Sequence, residues 1–180
     1  MDVLRSALMV EIPEAEAAVG ESRLRLDPVA ALGVPAHVTA LFPFVAANLI
    51  DDSVLRRVGV AAGSCAPFDY RFIQTAWFGQ DVVFLAPEDP RPFVELTERL
   101  CAAFPDCPPF GGQFAAIVPH LTIGDGADAA QLHLAEARVL AHGMVAGRAL
   151  RLTLMTEDAT GRWSRLGWCR LGSDQTFEQA

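Results

Sequence analysis

The chain contains no lysine: its 14 Lys/Arg-type cations are all arginines. That absence excludes every mechanism built on a lysine amine, including a Schiff base, a P-loop lysine and the adenylylated lysine of a nucleotidyl-transfer ligase. Positive charge is scarce as well. Fourteen arginines face 22 carboxylates, giving a net charge of −8 and a pI near 4.9. A broad surface for long nucleic acid is therefore not expected, because such binding neutralises many phosphates. One small phosphate in a local cleft stays open. Charge is also uneven, with six arginines between Arg138 and Arg170 against two carboxylates, Glu157 and Asp158. Cys65, Cys101, Cys107 and Cys169 form no C-x-x-C pair, so a zinc or thioredoxin-like motif has no support. They read as small packed residues of a reducing cytosol, and the expected location is cytoplasmic. The opening MDVLRSALMVEIPE has no charged segment followed by a long apolar one, so no secretion signal is expected.

What is present is a globular composition: 52% hydrophobic, 20% charged, mean hydropathy +0.28. Its 180 residues suit one domain with a sizeable core. Asp27 to Asp51 encloses 23 residues without a formal charge, long enough to span a bilayer. Pro35 and Pro43 would break such a helix twice, and the middle alternates as a strand does, so the stretch reads as soluble core.

Periodicity predicts strands over 5–12, 36–42, 69–77, 82–85, 115–123, 149–156 and 162–171. It predicts helices over 14–26, from Asn48 or Asp51 to 62, over 90–104 and over 129–141. Residues 28–33 read as a connector, 105–112 as a Pro/Gly loop and the tail from Gly172 as frayed. A strand, then a helix, then a hairpin recurs about 80 residues apart, a weak internal duplication of pattern rather than of residues. Hairpins favour antiparallel sheets and an α+β class.

Two tripeptides stand out, His37-Val38-Thr39 in PAHVTALFPF and His120-Leu121-Thr122 in VPHLTIGDG. Two of the four histidines are thus followed by Thr two places on, with only eight Thr in the chain, and a proline lies just upstream each time. Strand period two puts each His and its Thr on one face. Histidine titrates near pH 6.5, so one imidazole can take a proton from an attacking hydroxyl while the other protonates a leaving oxygen. The threonines can donate to phosphate oxygens as charge builds at phosphorus. His133 and His142 lack the Thr and read as solvated surface groups. No metal and no nucleoside triphosphate is needed, and the chain has no G-x-x-x-x-G-K-[ST] loop.

These motifs, with Phe42-Pro43-Phe44 after the first, resemble the paired signatures of the 2H phosphoesterase superfamily, which includes 2′-5′ RNA ligase-like proteins and cyclic phosphodiesterases. The resemblance covers most of the chain. It implies catalytic histidines at His37 and His120 and phosphate-binding threonines at Thr39 and Thr122. It implies a bilobal α+β fold, two antiparallel sheets with outer helices related by pseudo-twofold symmetry about a central groove. The terminal strands would pair, so residues 1–180 form one domain of two interleaved lobes.

Arg151 and Thr153 share one strand face, so Arg151 is a candidate for holding a phosphate. Phe42, Phe44, Trp77 and Trp163 are candidates for stacking a base. The expected protein is a cytoplasmic, metal-independent monomer with no cofactor and no membrane contact. It would act on 2′,3′-cyclic phosphate ends or 2′-5′ linkages of RNA or small nucleotides. The alternatives are a non-catalytic phosphate- or nucleotide-binding module using the same groove, and metal binding by His37, His120 and cysteines, for which ligand spacing is poor.

Overall fold

A computed structural model describes residues 4–113, 116–126, 128–173 and 176–180. Among these residues, nine strands form two antiparallel sheets. In chain order they are β1 (Ser6–Glu11), β2 (His37–Leu41), β3 (Phe68–Phe78), β4 (Val82–Pro87), β5 (Leu121–Asp125), β6 (Val145–Ala149), β7 (Arg151–Glu157), β8 (Trp163–Arg170) and β9 (Phe177–Gln179). One sheet runs β2-β1-β7-β8-β9 and the other β5-β4-β3-β6. The helices are α1 (Glu16–Leu26), α2 (Pro28–Ala31), α3 (Asp52–Gly63), α4 (Arg91–Ala103) and α5 (Ala129–His142).

The α+β class and the two antiparallel sheets are as expected, and β1 pairs with β7, so the two ends of the chain share a sheet. Period two places Leu8, Val10, Val38, Leu152 and Leu154 on one face of the first sheet, all fully buried. Helices α3 and α4 cover the first sheet, whereas α1 and α5 lie on the second. Helix α1 links β1 to β2 yet packs on β5. Helix α4 links β4 to β5 yet packs on β2. This exchange is the structural form of the duplication: β1-α1-β2 and β4-α4-β5 are equivalent units, each ending in a His-x-Thr strand.

Asp51 caps α3 by accepting a hydrogen bond from the Val54 amide at 2.9 Å, which decides between the two predicted starts. Several expectations need correction. Residues 28–33 contain the short helix α2, started by Asp27 accepting from the Val29 amide. Residues 105–112 include a 3-10 turn at Pro109–Gly112. The strand expected over 149–156 is the end of β6 followed by β7; β6 intervenes between α5 and the β7–β8 hairpin. The tail forms β9, paired to β8. The strand expected over 115–123 starts only at Leu121, continues through Gly124 and Asp125, and pairs with β4; Ala115 lies outside the described residues.

Candidate active site

Strands β2 and β5 are edge strands of different sheets, and their Cα atoms come within 8 Å of one another. The two His-x-Thr segments meet there. In β2 the alternation is clear: His37 and Thr39 are half-buried on the open face, while Val38 and Ala40 are buried on the other. His120 sits one residue before β5, where Pro119 has no amide to donate to a ladder. It nevertheless shares a face with Thr122, since its ring packs against Phe84 at 5.4 Å and Phe84 pairs with Thr122.

Both imidazoles are held alike. His37 Nδ1 lies 2.8 Å from the Pro35 carbonyl and His120 Nδ1 lies 2.7 Å from the Val118 carbonyl. A carbonyl only accepts, so Nδ1–H donates in each case and Nε2 is left as the working nitrogen. The Thr39 hydroxyl, 3.1 Å away, donates to His37 Nε2 when the ring is neutral. The Thr122 hydroxyl has no protein partner among the described residues. The two His-x-Thr segments, each with its His and Thr on one face, thus lie side by side, near enough for His120 to act electrostatically on His37.

The rings differ in their surroundings. Burial, and next the buried Arg23 cation, lowers the His37 pKa to about 4; the Pro35 carbonyl and Asp27 oppose this, and His120 adds to it. Arg23 is itself held by Asp27, with contacts of 3.0 and 2.8 Å to Oδ2, and by the Val34 carbonyl at 3.3 Å. His120 is lowered too, by burial, but the Val118 carbonyl and the Asp125 carboxylate pull its pKa back up. Asp125 is raised by burial and then by Asp27 and Asp81. Next to His120 is an apolar cavity of about 350 Å³ lined by Phe78, Val82, Phe110, Ala116 and Val118, with Thr122 and Asp125 at its polar side. Phe78 meets the His120 ring edge-on at 5.0 Å and Phe110 stacks at 6.2 Å. Phe110 reaches this position because its amide donates to the Phe42 carbonyl.

The sequence candidates divide. The structure brings His37, Thr39, His120 and Thr122 together. Arg151 and Thr153 lie on the His37 face of the same sheet, two strands away. Phe42 follows β2 and packs on Trp163 at 6.2 Å, and Trp163 is buried with Ala7, Met9, Val34 and Met155. Trp163 is thus a packing residue. Phe44 is buried against Phe104 at 4.8 Å. Trp77 turns to the helix side, where its Nε1 donates to Glu136 and its ring meets His133 at a tilt, centroids 4.6 Å apart. His133 and His142 are exposed, as expected. Sequence reasoning missed Glu11, Phe78, Phe110, Asp125 and Trp168. Alternation along β1 was a signal for Glu11 only once its register against His37 was known. The four thiols are free, Cys65 and Cys169 buried. Among the described residues, no group of three His, Cys, Asp or Glu side chains is arranged to hold a metal ion. No helix among them is long and apolar enough to cross a membrane.

A sequence model of the 2′-5′ RNA ligase superfamily matches residues 12–160, both His-x-Thr motifs included. The chain belongs to this superfamily. Its solved structural neighbours include E. coli LigT complexed with 3′-AMP, at 17% identity and TM-score 0.64 over 96% of this chain and 100% of that one. Another is the protein TT0787 of Thermus thermophilus, at 20% identity and TM-score 0.60 over 94% of this chain and 98% of that one. A third is a protein described as a phosphoesterase, at 18% identity and TM-score 0.59 over 94% and 99% of the respective chains. No curated protein matches the chain. The superfamily assignment agrees with the resemblance read from the two motifs, and the shared fold extends over nearly the whole chain.

Proposed function

We propose that this member of the superfamily is a phosphoesterase that opens 2′,3′-cyclic phosphate ends, or cleaves 2′-5′ linkages, by two-histidine acid–base catalysis. The observation that carries this reading is the matched tethering of the two imidazoles on adjacent edge strands: each Nδ1 lies against a carbonyl two residues upstream, so that each Nε2 is left for proton transfer. His37, held neutral down to about pH 4, is the base. It removes a proton from water as the water oxygen bonds to phosphorus. His120, near the Asp125 carboxylate, is the acid. It delivers a proton to the ester oxygen as the P–O bond breaks, giving a phosphomonoester and a free hydroxyl. The binding of a phosphate anion between the rings favours the protonated form that this step needs. The incoming substrate takes the Thr39 hydroxyl from His37 Nε2, so that Thr39 and Thr122 donate to the non-bridging oxygens and the Nε2 lone pair is freed for the water. His37 ends protonated and His120 neutral, and exchange with water resets them. No step is assigned to a metal. Solved E. coli LigT structures carry 3′-AMP, NADP+ and ATP, which supports a nucleotide as the ligand class.

The test is turnover of nucleoside 2′,3′-cyclic phosphates by the purified protein in EDTA. His37→Ala and His120→Ala should each lower kcat by about 10²-fold or more. Absence of turnover, or undiminished turnover in the variants, would overturn the proposal. Binding lost in Thr39→Ala or Thr122→Ala, without hydrolysis of any phosphodiester, would instead identify a non-catalytic nucleotide-binding module.

A further inference from the structure

Strand register carries the His37 face away from the histidines towards a second, larger cavity. Glu11 of β1 stands opposite His37. On the other side of β1, Met9 stands opposite Thr153, and Arg151 lies two residues further along β7 on the same face. His37, Glu11 and Arg151 thus share one face of the sheet, with β1 between the strands that border His37 and Arg151, and two strand spacings are roughly 10 Å. Glu11 and Arg151 both line a cavity of about 500 Å³ between the two sheets, within the range of small-molecule sites.

Three arginines and two glutamates line this cavity. Arg165 grips Glu11 with two contacts of 2.8 and 2.6 Å, and the Arg165 fork and Thr153 hydroxyl hold that carboxyl below its usual range against the effect of burial. Arg148 pairs with Asp69 at 2.8 Å, and Glu14 accepts from the Tyr70 hydroxyl at 2.6 Å. Arg151 differs. Among the described residues it has no carboxylate partner, and its guanidinium lies over the Trp168 ring, 5.1 Å from the centroid. Stacking fixes the plane of the fork while leaving its N–H donors free for an anion. In a chain of net charge −8, a stacked cation without a carboxylate partner, on the same sheet face as the candidate catalytic base, marks a place built for negative charge.

We infer that the Arg151–Trp168 platform binds a second phosphate of the substrate, one nucleotide unit from the phosphate held between the histidines. The inference deepens the phosphoesterase reading and in part rests on it. It makes the substrate class a nucleotide that carries a further phosphate, rather than a bare nucleoside cyclic phosphate. That phosphate is either the internucleotide link of an RNA end or a 5′-phosphoryl group.

Three probes separate these sources: a nucleoside 3′-monophosphate, the matching 3′,5′-bisphosphate, and a dinucleotide ending in a 3′-phosphate. Calorimetric titration reads binding whether or not catalysis occurs. The second phosphate should tighten binding by about tenfold, as one charge-assisted contact does. The gain should shrink as salt is raised and disappear in Arg151→Ala, an exposed position whose change leaves the core intact. A gain for the dinucleotide alone assigns the internucleotide phosphate; a gain for both assigns any phosphate at that distance. Equal affinities for all three probes, or a gain that survives Arg151→Ala, would overturn the inference. The phosphoesterase reading fails separately, by absence of turnover while the affinity gain stands. With turnover, the ratio of kcat/KM for a dinucleotide ending in a 2′,3′-cyclic phosphate to that for the mononucleotide should fall towards one in Arg151→Ala.

Discussion

Two histidines of identical type and tethering are made unequal by one neighbour each. His37 has the buried Arg23 behind it, which adds to the effect of burial. His120 has Asp125 nearby, which opposes burial. The kcat/KM profile reports the free enzyme, where activity needs His37 neutral and His120 protonated. Its acid limb should fall near pH 4, where His37 takes up a proton. Its alkaline limb should lie below pH 6.5, because the net shift of His120 is downward. Asp125→Asn removes an influence that raises the His120 pKa, so the alkaline limb should move to still lower pH while the acid limb stays. Initial rates from about pH 3.5 to 8 on a 2′,3′-cyclic nucleotide measure both limbs. A shift of the acid limb, or an alkaline limb moved upward, would show that Asp125 does not act on His120 in this way.

At the level of elements, the irregularity in β5 positions the site. Thr122 pairs with Phe84 and Gly124 with Val83, a register shift that places the buried Gly124 under α1 and α5 and returns Asp125 to the groove side with Thr122. A Cβ at Gly124 would lie 2.6 Å from Leu132 Cδ2 and 3.0 Å from Leu26 Cβ. The leucine tip can yield; Leu26 Cβ, fixed to the α1 backbone, cannot. Gly124→Ala should therefore cost about 1–3 kcal/mol, read as a lower urea midpoint with an unchanged slope. An unchanged midpoint would show that α1 shifts freely. Such features also explain what was legible beforehand. The His-x-Thr pairs could be read because residue type and spacing alone state their chemistry. The long strand β3 could be read from its alternation. Strand β6, with the sequence Val-Ala-Gly-Arg-Ala, has little β propensity, and its pairing to β3 is a tertiary fact. Strand β9 is three residues on the edge of β8. Phe110 and Asp125 reach the cavity beside His120 through a 3-10 turn and a register shift, and Trp168 reaches the larger cavity from a neighbouring strand; none of these leaves a periodic trace.

The whole molecule is interleaved rather than concatenated. The first sheet takes β1 and β2 from the first half of the chain and β7, β8 and β9 from the second; the other sheet takes β3 and β4 from the first and β5 and β6 from the second. The cross-packing of α1 on β5 and of α4 on β2 binds the halves again. A cut in the Glu88–Asp89 connection, between β4 and α4, would leave the first half with two isolated strand pairs, and an isolated pair is marginal in water. The second half would keep β7–β9 but lose the partners of β5 and β6. Each half would also expose the apolar face that the other covers, within a core cluster that draws on both sheets. Residues 1–88 and 89–180, made separately, should each lack a cooperative thermal transition by circular dichroism, whereas mixing them from denaturant should restore one. A cooperative transition in either half alone would show two autonomous domains, and the pairing of β1 with β7 would then be a contact between finished units instead of a condition for folding.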